Sequence, residues 1–139
     1  MVEDLVKSYV AQARTYLDTA KQLRERYEFP EAVRAAQTCV ELCLKAILKS
    51  AGIDPPHKHD VGRELLAVQE KLPATFREKV PKLNFISLSM ALWRDPAMYG
   101  MEGQLPPDKL FGKEEADLAL RYAEDVYLWC SPVSYGELY

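Results

Sequence analysis

The feature that most constrains the fold is a three-four spacing of apolar residues that recurs along most of the chain. Leu5, Tyr9, Ala13, Tyr16, Ala20, Leu23 and Tyr27 fall on one face of a helix, with Lys7, Arg14, Asp18, Lys21 and Arg24 between them. The spacing predicts a first helix over about 2–27. Pro30 suits the first turn of the next helix, because the N–H it lacks would go unbonded there. Val33, Ala36, Val40, Cys43 and Ile47 form that helix's stripe, and Gly52 stands where a left-handed residue would end it. So short a connection makes the two helices an antiparallel hairpin.

Pro55 and Pro56 break the helical pattern, and Asp60 is placed to accept hydrogen bonds from the free amides of a third helix over about 61–72. A fourth long helix is predicted from Pro81. It carries Leu83, Phe85, Ile86, Leu88, Met90, Leu92 and Trp93 on nearly every side, which predicts the most buried helix of the set. Asp95-Pro96 should end it, since a residue before proline avoids helical angles. Residues 95–111, with Gly100, Gly103, Pro106 and Pro107, read as a long loop of the kind that often carries function. A closing helix is expected over about 113–130, followed by a loose tail over 131–139.

No stretch alternates polar and apolar residues as a strand does. The expectation is an all-α, antiparallel up-and-down helical bundle of about five helices, folded as one domain over 1–139. With 48% hydrophobic and 28% charged residues, the chain can bury a self-sufficient core. The formal net charge of -3 gives no general attraction to nucleic acid, so any phosphate contact must be built locally from a few cations. The first ten residues lack the basic-then-apolar pattern of a signal peptide, and the apolar run over 83–93 is too short for a membrane span. A cytoplasmic protein without membrane contact is expected.

Three cysteines, Cys39, Cys43 and Cys130, are too few and too irregular for a disulfide framework. Cys39 and Cys43 sit one helical turn apart, and His57 and His59 are the only histidines. However, Cys43 lies roughly 12 Å along the helix from its end, whereas zinc ligands converge to about 2.3 Å. No metal and no cofactor are expected. His59 is placed to move protons or order the turn beside Asp60. Glu41 and Lys45 make a favourable i,i+4 pair, from which Lys45 could also reach an anion.

Residues 93–100 hold the best candidate site. Arg94 closes the most apolar segment, a costly place for a charge without a partner. Its guanidinium can meet phosphate through two parallel hydrogen bonds, or simply complement the helix dipole. Asp95 is placed to orient it, and Tyr99 brings a hydroxyl to the mouth of the loop.

Taken together, residues 13–21, residues 35–46, the Pro-Pro-His-Lys-His-Asp turn over 55–60, the segment from Arg94-Asp95 to Tyr99-Gly100 and the alanine-rich 115–126 resemble the HEPN domain. The resemblance implies a bundle that dimerises. It also implies a site shared between protomers, in which ribonuclease members carry arginine, a polar residue and then histidine. Arg94 and Asp95 match the first two, and Tyr99 stands among the positions open to the histidine. The resemblance therefore implies Arg94 and Asp95, with Tyr99 in the histidine's stead, as catalytic candidates; Arg94, together with Lys45 and His59 from the reading of the residues themselves, makes the nucleotide- or phosphate-binding set. It further implies a homodimeric nucleotide- or phosphate-binding module paired with a small nucleotidyltransferase-fold protein, as toxin and antitoxin. The alternative it leaves is a metal-independent endoribonuclease toxin acting on RNA.

Overall fold

The computed structural model describes residues 1–101 and 104–136. Among them the order is α1 (Val2–Glu25), α2 (Phe29–Ser50), α3 (Gly62–Val68), a 3-10 turn (Gln69–Lys71), α4 (Ala74–Arg77), α5 (Val80–Tyr99), α6 (Pro107–Leu110), α7 (Lys113–Cys130) and a second 3-10 turn (Ser131–Tyr135). No strand forms among the described residues. No described helix is long and apolar enough to cross a membrane.

α1 and α2 form the expected hairpin, joined through Tyr27, which adopts φ 60. Pro30 stands in the first turn of α2. α2 is the axis of the bundle, because α1, α5 and α7 all pack on it. Ala36, Val40, Cys43, Leu44 and Ile47 are closed from solvent there. Cys39, Cys43 and Cys130 are buried in this core as free thiols, and burial drives the Cys130 thiol upward.

α3 is fixed to α5 by polar bonds and by a small residue. Asp60 accepts from the Gly62 amide at 2.9 Å, and the buried Ser87 hydroxyl donates to the same carboxylate oxygen while accepting from the Val61 amide. A Cβ on Gly62 would sit 3.1 Å from the Asn84 Cα, so glycine permits this close approach.

Three expectations are corrected. α5 continues through Asp95 and Pro96 to Tyr99. Pro96 leaves the Leu92 carbonyl without its helical donor, but Leu92 lies on the exposed side, where water can serve that carbonyl. Gly100, at φ 74, is the actual stop. A Cβ there would collide with the Leu105 carbonyl oxygen, and the chain turns back with Met101 N–H donating to that oxygen. The expected loop thereby shortens and carries α6; Gly103 and Glu102 lie outside the described residues. The start of the expected loose tail is a 3-10 turn that buries Val133, while residues 137–139 lie outside the description.

The third correction concerns burial. The most enclosed helix is α2, not α5. Along α5, Phe85 is 57% exposed, Leu88 46%, Leu92 66% and Tyr99 77%. With Asp95 they form an unbroken three-four stripe facing away from the bundle.

Candidate functional site

The polar face of α2 opposes the end of α5. Arg34, the adjacent Gln37 and Thr38, Glu41 and Lys45 follow one another at about one helical turn, so they share that face. Arg94 reaches across from α5. Its Nη1 donates to the Gln37 Oε1 and, at 3.0 Å, to the Thr38 Oγ1. Thr38 passes its own proton to the Arg34 carbonyl at 3.1 Å. One turn back along α2 and one turn further along α5, the Arg34 Nη1 lies against the Met98 sulfur. Among the described residues, no carboxylate approaches Arg94 or Arg34 within 4.0 Å.

Gln37 is buried, and both ends of its amide are used. Its Nε2 donates to the Glu41 Oε1 at 3.0 Å. The same oxygen lies 2.7 Å from the His59 Nδ1, and Glu41 Oε2 accepts from the Lys45 Nζ at 2.9 Å. Burial pushes the Glu41 carboxyl upward, but the bonds from Lys45, Gln37 and His59 outweigh it and hold the group below its ordinary value. A hydrogen-bonded chain thus runs from Arg94 through Gln37 to Glu41, and from there to His59 and Lys45.

This geometry sorts the residues singled out from the sequence. Arg94, Lys45 and His59 come together on one polar network. Lys45 and His59, however, spend their charge-assisted bonds on Glu41, whereas among the described residues Arg94 is bound only by neutral groups. Asp95 and Tyr99 lie on the exposed stripe. Among the described residues, neither hydrogen-bonds to Arg94, because helical geometry turns Asp95 by about 100° and Tyr99 by roughly 140° from it. His57 takes no part in the network. Among the described residues, no group of three or more metal-ligating side chains gathers.

The HEPN domain profile matches residues 6–133. The chain belongs to the HEPN domain family. It is similar to the Methanocaldococcus jannaschii protein named "Putative toxin MJ1304", with 29% identity over 126 residues, covering 86% of this chain and 82% of that one. Its fold is similar to the crystal structure of TT1696 from Thermus thermophilus. The TM-score is 0.73 at 20% identity, covering 91% of this chain and 95% of that one.

For this HEPN domain, sequence reasoning found Arg94 and missed its surroundings. Gln37, Thr38 and Arg34 were masked by the stronger apolar stripe of α2. The signal was present on the opposite face, where polar residues at 34, 37, 38, 41 and 45 follow the same helical spacing.

Proposed function

We propose that this HEPN domain is a toxin-type module. It self-associates through the exposed stripe of α5 and holds a phosphate-bearing ligand, nucleotide or RNA, at Arg94. The carrying observation is a half-buried guanidinium with no carboxylate within 4.0 Å among the described residues, next to an uncovered apolar helix face. A cation in such a place costs desolvation energy that neutral partners only partly offset. An anion restores the balance through short charge-assisted bonds.

Phe85, Leu88 and Leu92 supply the apolar centre of the association face, and Asp95 and Tyr99 supply its polar end. Pairing two copies there brings Asp95 and Tyr99 of one protomer towards the Arg94 end of the other's stripe, so those two residues line the proposed ligand site. Lys45 and His59 act behind it, through Glu41, by fixing Gln37 and hence Arg94. The name of MJ1304 supports the toxin reading. The family resemblance supports pairing with a small nucleotidyltransferase-fold protein as the antitoxin.

Two readouts on purified protein test this. ATP should raise the melting temperature of the wild type and leave that of Arg94→Ala unmoved. Incubation with RNA in a metal chelator decides the endoribonuclease alternative: cleavage that Arg94→Ala abolishes establishes it. Absence of both effects in the wild type overturns the phosphate reading.

A further inference from the structure

Four arginines of the described chain are half-buried: Arg24, Arg34, Arg77 and Arg94. Arg24 is answered by Asp117 at 2.7 Å, and Arg77 by Glu70 together with three backbone carbonyls. Arg34 and Arg94 have no such answer, and these two stand side by side across the α2–α5 crossing. Arg34 is the more anomalous. Among the described residues its Nε is buried with no hydrogen-bond partner, and its Nη1 meets only the thioether of Met98, a weak acceptor. A buried charged donor left unsatisfied is costly, and such a group marks a place where a partner is missing.

Resting on the phosphate reading of Arg94, we infer that Arg34 is a second anion-binding residue, and that the two guanidiniums together take a pyrophosphate-type anion such as the linked phosphates of a nucleoside di- or triphosphate. The spacing supports two phosphoryl groups over one. Arg34 stands one turn before Thr38 on α2, and Met98 one turn beyond Arg94 on α5. The positions that hold the two guanidiniums are thus offset by one helical turn, about 5.4 Å along the crossing. Each fork presents a planar pair of donors suited to one phosphoryl group. Met98, about half exposed, is the side chain that the anion displaces from Arg34. The net charge of -3 favours a compact anion over an extended nucleic-acid track, which needs a longer basic surface.

The test is calorimetric titration of the full chain with inorganic pyrophosphate and, separately, with orthophosphate. Wild type should bind pyrophosphate on the order of tenfold more tightly than orthophosphate. Arg34→Ala should erase that preference, weakening pyrophosphate binding by more than it weakens orthophosphate binding. Arg34→Lys, which keeps the charge but not the fork, should restore only part of it. Met98→Glu places a carboxylate against Arg34; it should keep its melting temperature and lose the preference as well. Unchanged pyrophosphate affinity in Arg34→Ala or in Met98→Glu overturns the inference. If pyrophosphate binding depends on Arg94 but not on Arg34, only this inference falls. If the wild type binds neither probe, the phosphate reading falls with it.

Discussion

α2 and α5 are both long, apolar helices with proline in the first turn, yet they lie in opposite environments. α2 is surrounded by α1, α5 and α7, and its apolar residues disappear from solvent. α5 buries Leu83, Ile86 and Met90 on one side and leaves Phe85, Leu88 and Leu92 uncovered on the other. Apolar residues all round a helix therefore signal burial only if enough partners exist. This chain supplies partners for one side of α5 and leaves the other open to solvent, the side assigned to the proposed self-association. Arg94 lies between the two environments, reaching the polar face of α2 from the rim of the uncovered stripe.

Substitutions can break this contrast, and the largest effect belongs to α2. Leu44→Ala should cost about 2–5 kcal/mol of folding stability, measured by denaturant unfolding, because Leu44 is fully enclosed and a cavity remains. Glu41→Ala should come next, at about 2–3 kcal/mol, because it strands Gln37, Lys45 and His59 together.

The same carboxylate gives the contrast a pH signature. Its folded value is depressed below 4.5, so its stabilisation is complete above about pH 4.5 and is lost as pH falls through the lowered folded value. Glu41→Gln should flatten that acid-side slope in urea titrations run across this window.

On α5 the effects should move from folding to association. Leu92→Asp should weaken self-association at least about tenfold in sedimentation experiments while the fold persists, since it places charge at the centre of the uncovered stripe. Leu92→Ala should change unfolding free energy by under about 0.5 kcal/mol, the smallest effect of the set. A Leu92→Ala loss as large as that of Leu44→Ala would erase the distinction between the two helices.

The helices themselves were legible because local periodicity decides them. Pro30, Asp60 and the stripe of α2 perform locally the roles their positions imply. The end of α5 was not legible. Whether a proline stops a helix depends on what serves the carbonyl it orphans, and at Leu92 that is decided by which side faces water. The exposure of α5 was hidden for a related reason, since hydrophobicity records what a residue prefers and not what is available to cover it. In the site, Arg94 was visible as a charge at the end of an apolar run. Its bonds to Gln37 and Thr38 span 57 and 56 positions and arise only when α5 docks on α2. The competition of Glu41 for Lys45 and His59 is likewise a product of packing, although the Glu41–Lys45 spacing announced half of it.

Equilibrium dialysis of ATP against wild type and Arg94→Ala at matched protein concentration tests the central claim most directly. The account predicts that the variant stays folded with the wild-type mass but binds ATP at least about tenfold more weakly. Equal affinity in the two proteins would contradict it.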